Sequence, residues 1–293
     1  MSMDLCIPDY VKSIKPHKSL NTFQKIIVAL NLPFIKFNTE RIGWEEECQN
    51  YDMVILFDSK INYSHYAEKI ERACRKNTRL ILYFWNPVSY SNDFLKLSPR
   101  WELATFSKAD ALKYNMLYVE TFYNPQWSIP LESKLTSDVF FIGTEKGRRK
   151  IIDYVKSQIE KQGFVTDFKI ADNRKALYNH RYSKYLPYSK VISLIGKSRS
   201  ILEILQKGQT GLSLRCMESL FFNKKIITNN ISIKQSPLYS KDRVFIINED
   251  PWDNLGEFLF KPLSPVNKKL FEAYSFDSLI ERIYHKQEFS LSK

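Results

Sequence analysis

The residues best equipped for chemistry lie in the run Gln209-Thr210-Gly211-Leu212-Ser213-Leu214-Arg215-Cys216-Met217-Glu218-Ser219-Leu220, followed by Asn223-Lys224-Lys225-Ile226-Ile227-Thr228-Asn229-Asn230. Gly211 marks a turn, a short helix follows it, and the lysine-led apolar run reads as the next strand. Residues three apart share a helix face, so Arg215 and Glu218 can address one ligand. A helix start offers amides and the positive end of its dipole to a phosphate. An arginine adds a charge-assisted fork, and a glutamate can accept bonds from ribose hydroxyls. Together these groups describe a pocket for a nucleotide diphosphate. The same spacing alone also describes an ordinary ion pair on a helix surface, worth about 0.2–0.5 kcal/mol.

A second phosphate-facing candidate is Gly143-Thr144-Glu145-Lys146-Gly147-Arg148-Arg149, where glycines separate a strand from a helix start and three cations stand beside the amides. It lacks the Gly-Lys-Ser/Thr ending of a Walker loop. Read alone it is a basic helix end. Both segments, however, follow expected strands of one α/β unit, and in a parallel sheet such turns line one edge. One diphosphate can therefore touch both.

The elements that must position these groups alternate between apolar runs and helix-period segments, the pattern of a mostly parallel α/β protein. In the first half, strands are expected at 51–57 and 79–85, with shorter ones at 102–106 and 116–122. An amphipathic helix is expected over 64–76, with Tyr66, Ile70, Ala73 and Cys74 on one face. The prolines of Asn124-Pro125-Gln126-Trp127-Ser128-Ile129-Pro130 break the pattern. The second half restarts with a strand at 138–144 and a basic helix at about 146–161. Strands at 164–170, 200–204, 225–228 and 243–247 follow, with helices at 187–195 and from Phe276 to Ile283. The domains are thus 1–127, a linker at 128–134, 135–265, and a closing helical segment at 266–293. The start fits less well: a doubly wound domain opens on a strong strand and a glycine turn, and residues 1–20 offer only Leu5-Cys6-Ile7 before Pro8.

Composition narrows the function. The 293-residue chain has ample length for two cores, and its eight glycines argue against a fibrous or repeat protein. No stretch reaches the ~20 apolar residues of a membrane span, and Met1-Ser2-Met3-Asp4 lacks the start of a signal peptide, so a cytosolic chain is expected. Cys6, Cys48, Cys74 and Cys216 show neither disulfide nor zinc spacing and are expected as free thiols. The net charge of +12 is uneven: Lys and Arg outnumber Asp and Glu by 17 to 15 over residues 1–134 and by 27 to 17 over 135–293. Such a field attracts nucleotides, nucleic acids or acidic lipid headgroups and also serves solubility. No nucleic-acid recognition motif is present, and a kinase or phosphatase would need a Walker loop, a catalytic cysteine motif or a carboxylate cluster that the chain lacks.

The Phe-Phe-Ile-Gly-Thr strand at 140–144, Ser-Ile-Leu-Glu-Ile at 200–204, the signature helix and Lys-Lys-Ile-Ile-Thr-Asn-Asn after it resemble the GT-B glycosyltransferases. Among these, the bacterial enzymes of lipopolysaccharide and capsular polysaccharide assembly are the most similar. The resemblance covers residues 137–285 well and the first half by architecture. It implies two Rossmann-like domains facing a central cleft, with the closing helix crossing back to the first domain. It also implies a nucleotide-sugar donor on the second domain and a saccharide or lipid-linked acceptor on the first. By position, Glu218 would hold the ribose, Arg215 with the amides of Gly211 and Leu212 the phosphates, and Gly143, Lys146 and Arg148 the other side of the donor. Gln209 would face the sugar, while Glu203 anchors the following loop.

Enzymes of this kind need no metal and no cofactor, since helix dipoles and basic side chains stabilise the leaving diphosphate; no Asp-x-Asp metal motif is present. An acceptor hydroxyl needs a base where configuration inverts, for which Asp58 is the first candidate and Asp9 and His17 are weaker ones. Each is also an ordinary loop residue. Trp85, Tyr90, Trp101, Tyr123 and Trp127 can stack on sugars or pack in cores. Basic surface with aromatics suits contact with the inner membrane face and a lipid-linked acceptor, without nucleic acid. The competing expectation is a non-catalytic glycosyltransferase-like protein or subunit that binds the nucleotide-sugar.

Overall fold

The computed structural model describes residues 42–58, 63–88, 93–124, 134–172 and 175–288. Leu5-Cys6-Ile7, Asp9, His17, Tyr90, Trp127 and positions 125–133, which include most of the expected linker, lie outside the described residues. By internal contacts the described chain forms two compact units: 42–105 with 110–117, and 106–109 with 118–288.

The first unit is built on strands β1 (Met53–Phe57), β2 (Arg79–Phe84), β3 (Trp101–Thr105) and β4 (Leu117–Tyr118), in that order across the sheet. Helix α1 (Tyr63–Ala73) follows β1, and α2 (Lys108–Tyr114) follows β3. β1, β2 and β3 run parallel. β2 is apolar throughout after Arg79 and buried from Leu80 to Phe84, as a central parallel strand must be. Leu80, Leu82 and Phe84 point into one core with Trp44, Phe94 and Trp101, against which α1 lays Tyr63, Tyr66, Ala67 and Ile70. Those four sit at i, i+3, i+4 and i+7, the stripe of an amphipathic helix. Each large side chain so buried is worth about 1.5–3 kcal/mol.

The second unit carries β5 (Ser137–Gly143), α3 (Arg149–Lys161), β6 (Thr166–Ile170), α4 (Tyr188–Gly196), β7 (Ser198–Glu203), α5 (Leu214–Phe221), β8 (Lys225–Thr228), β9 (Val244–Ile246), α6 (Leu255–Phe260), α7 (Lys268–Ala273) and α8 (Phe276–His285). Its sheet has the order β6-β5-β7-β8-β9, every pairing parallel. Alternate strand residues serve opposite faces. Phe140, Ile201, Ile226 and Val244 meet Val191, Ile195, Cys216 and Leu220 of α4 and α5. Val139, Phe141, Leu202, Ile227 and Phe245 meet Ile152, Val155, Ile159, Leu255 and Leu259 of α3 and α6. The result is a three-layer α/β/α sandwich whose five strands end along one edge.

Segment 118–124, which the sequence places with the first domain, packs with the second unit. The Tyr123 amide donates to the Tyr274 carbonyl (2.7 Å), and Phe122 rests on Phe276 of α8 with ring centroids 5.2 Å apart. Helices α2 and α6 have no counterpart among the elements expected from sequence, and α7 falls within the closing helical segment expected at 266–293 without being set apart there. They are six or seven residues long, too short for a 3.6-residue period to stand out.

Candidate functional site

The carboxyl end of β5 turns through Lys146 and Gly147, both at positive φ (44° and 74°), before α3 begins at Arg149. Lys146 is exposed. Arg148 is half-buried and its guanidinium is held by carbonyls: it donates to Thr144 O (2.6 Å), to Glu145 O (3.4 Å) and to Ile204 O beyond the end of β7. A Cβ on Gly143 would crowd the Phe141 ring at 3.2 Å and touch that guanidinium at 3.4 Å, so Arg148 passes close over the bare backbone here. Arg148 thus laces the two candidate turns together, as adjacency of β5 and β7 in the sheet requires.

The second turn, 204–213, is anchored at both ends by the asparagines after β8. Leu205 N donates to Asn229 Oδ1 (2.8 Å), and Asn230 Nδ2 donates to Gly211 O (2.9 Å). Gln209, half-buried, closes a smaller turn on Gln206. Gly211 sits at φ 85°, where an L side chain is strained, and a Cβ there would lie 3.4 Å from the Phe106 carbonyl. Leu212 is buried; its carbonyl accepts from Thr121 Oγ1 (2.7 Å), and its amide donates to the carboxylate of Glu120. Burial raises the Glu120 carboxyl above the ordinary range against bonds from Tyr118 and these amides.

Helix α5 is capped by Ser213, whose Oγ accepts from Arg215 N (3.0 Å). Ser213 in turn donates to Glu203, as do Thr228 Oγ1 and Cys216 Sγ. Glu203 is buried at the end of β7 and joins that strand to β8 and to the start of α5, the anchoring role expected of it.

Arg215 and Glu218 meet as their spacing demands, NH1 against Oε2. Glu218 is fully buried, with Oε1 accepting from the Tyr188 hydroxyl (3.0 Å), which itself pairs with the Tyr123 hydroxyl (2.9 Å). Burial pushes the Glu218 carboxyl up to about 7, opposed by Arg215 and Tyr188. Arg215 keeps 16% of its side chain exposed, and with five N–H donors in its fork it retains donors beyond the one used on Glu218. Tyr188, Glu120 and Asn230 were not singled out from sequence as site residues. Asn230 alone had a signal, as one of the two asparagines that follow the strand at 225–228.

In the first unit, Asp58 closes β1. Its carboxylate accepts from the amides of Trp85 and Asn86 (3.2 Å for Asn86) and from Asn86 Nδ2 (3.1 Å), and burial pushes it up to about 6 despite these bonds. Trp101 is buried with Nε1 on Glu71 (3.1 Å), and Tyr123 is fully buried, so both are core residues instead of sugar platforms. Trp85 is half-buried and packs edge-on against Phe57 and Tyr83. Cys48, Cys74 and Cys216 are free and buried. Among the described residues no acidic, histidine or cysteine cluster could hold a metal, and no helix is long and apolar enough to cross a membrane.

No protein-family model and no curated protein sequence matches the chain. Solved structures do match: the crystal structure of TarM, of the GT-B fold, superposes with a TM-score of 0.51 over 86% of this chain at 11% identity. The chain spans 59% of the length of that protein. At such identity the likeness speaks for fold. Together with two parallel sheets of four and five strands, it shows an α/β chain of GT-B-like, Rossmann-type architecture.

Proposed function

We propose that this protein is a metal-independent glycosyltransferase whose second unit binds a nucleotide-sugar donor. The observation that carries the reading is the joining of the turns after β5 and β7 through Arg148, with the part-exposed Arg215 at the start of α5 beside them. Arg215 and the Gly211 amide contact the phosphates, with Gly143 and Lys146 on the other side of the donor and Gln209 toward the sugar. The Leu212 amide, committed to Glu120, holds the loop in shape, and Arg148 does the same through its carbonyl bonds. Glu218 orients Arg215 and is the ribose partner once a donor displaces one of its present bonds.

In transfer, the acceptor hydroxyl oxygen forms a bond to the anomeric carbon, and the bond from that carbon to the diphosphate oxygen breaks. Negative charge then grows on the diphosphate, where Arg215 and the dipole of α5 stabilise it without reorganisation. The acceptor proton goes to a base, for which Asp58 is suited because a carboxylate raised toward neutrality takes a proton more readily. The acceptor is a saccharide or lipid-linked saccharide of a bacterial surface polysaccharide, lipopolysaccharide or capsule, met at the cytoplasmic face of the inner membrane. That three donors already occupy the Asp58 carboxylate favours a second reading, a non-catalytic protein that binds the same donor.

The test is a thermal-shift screen against UDP, GDP, dTDP, CMP and their sugars, run on wild type, Arg215→Gln and Glu218→Gln. A ligand that binds only the folded state raises Tm by mass action, by about 2.7 kcal/mol of stability at a hundredfold excess over Kd. One nucleotide class stabilising wild type and neither variant is expected. Equal shifts in all three proteins would sink the site. Donor binding without release of the donor's nucleotide when saccharide acceptors are supplied would select the second reading.

A further inference from the structure

Between β6 and α4 the described residues 171–172 and 175–187 form a loop. Its ends are clamped by Asp172 N donating to Ser183 O and Ser183 N donating to Ile170 O, each 2.8 Å. The loop is fixed to the site turn, because Tyr182 donates to Glu145 while Lys175 Nζ lies 3.4 Å from the same carboxylate. What it exposes is unusual for a polar surface: Leu177 is 67% exposed, Tyr178 73% and Tyr185 54%. Around them stand exposed His180, Arg181, Lys184 and Lys190. From Lys175 to Leu202 the sequence holds six Lys or Arg and no Asp or Glu.

We propose that this loop docks the protein on a lipid surface bearing anionic headgroups, an inference that rests on the reading above and gives its membrane contact a place. The chemistry is complementary on two counts. Arg181, Lys184 and Lys190 answer headgroup phosphates, each adding to attraction near an anionic surface. Leu177 and the two tyrosines supply an aliphatic tip and amphipathic rings, which settle at a headgroup boundary where one end is apolar and the other wet. A nucleic acid fits less well. Bases stack on aromatic faces, and Leu177, one of the three large side chains that project most from this loop, is aliphatic and offers them none. The clamp through Tyr182 and Glu145 holds the docking loop and the donor turn in one unit, so a lipid-linked acceptor and the donor site share a fixed reference.

The experiment is co-sedimentation of the full chain with vesicles of phosphatidylcholine and of phosphatidylcholine mixed with phosphatidylglycerol. It is run on wild type, Leu177→Ser/Tyr178→Ser, and Arg181→Gln/Lys184→Gln/Lys190→Gln. Wild type is expected on the anionic vesicles alone, with binding that weakens as salt rises. The triple variant should bind about a hundredfold more weakly and the double variant about tenfold more weakly. All three proteins should give the same nucleotide thermal shift, which shows them folded. Equal binding by wild type and variants, no vesicle binding by wild type, or preference for an RNA oligonucleotide over anionic vesicles would overturn the proposal. Loop-dependent vesicle binding with no response to any nucleotide would leave the docking surface standing and remove the donor reading beneath it.

Discussion

Three buried or half-buried carboxylates divide the labour at the residue scale, and their surroundings separate them. Glu203 takes bonds from Ser213, Cys216 and Thr228, so Glu203→Ala strands three donors and is expected to cost about 3 kcal/mol. The check is a lowered urea midpoint at unchanged slope. Asp58, pushed up to about 6, must be ionised to accept a proton. Transfer should therefore rise with pH through about 6 in wild type and lose that limb, with a roughly 10²–10⁴-fold drop, in Asp58→Asn; an unchanged pH profile would make Asp58 purely structural. Glu218, pushed from 4.5 to about 7, binds its proton more tightly when folded than when unfolded. Its protonated form favours the fold below about 4.5, and that advantage is lost as pH climbs to about 7. The Tm of wild type relative to Glu218→Gln should consequently fall across that window, and a pH-independent difference would show that Glu218 does not titrate there.

Elements explain what was legible and what was not. The strands were readable because each carries a buried apolar run, Leu80 to Phe84 in β2, Val139 to Phe141 in β5, Ile201-Leu202 in β7 and Ile226-Ile227 in β8, and the meeting of Arg215 with Glu218 followed from helix geometry alone. The partners across space were not readable: nothing near Glu218 in the chain points to Tyr188 thirty residues before it, and nothing near Leu212 points to Glu120 ninety-odd residues away. Nor did the sequence show that Arg148 would turn to carbonyls, since a guanidinium beside a glycine turn is equally suited to phosphate. The turn before α5 can be tested as an element. Gly208 and Gly211 both hold positive φ, 81° and 85°, but a Cβ at Gly208 meets nothing within 4 Å, whereas at Gly211 it meets the Phe106 carbonyl. Each alanine variant should lose about 1 kcal/mol to backbone strain. Gly211→Ala alone should also lose nucleotide affinity, because only there does the added methyl touch neighbouring backbone, 3.4 Å from the Phe106 carbonyl, beside the anchored loop; equal affinity loss in both, read by titration calorimetry, would show that the loop's path is not what the ligand senses.

At the scale of the whole molecule, chemistry and charge are unevenly divided. The excess of Lys and Arg is ten over residues 135–293 and two over residues 1–134, so an anionic donor is drawn to the half that carries both glycine turns. Every donor contact proposed here comes from the second unit, whose two core clusters are drawn, among the described residues, from its own residues. Nucleotide binding should therefore raise protection of that unit and leave the first largely as it was. Hydrogen exchange resolves this, since opening energies are regional and a bound ligand raises those of the segments it ties down. With nucleotide diphosphate present, slowed exchange is expected at 143–149 and 204–218, and in β7 and β8 through the Glu203 bonds, with β1 to β3 unchanged. Protection that appeared first in β1 to β3 would place the nucleotide on the first sheet and reverse the assignment of donor and acceptor units.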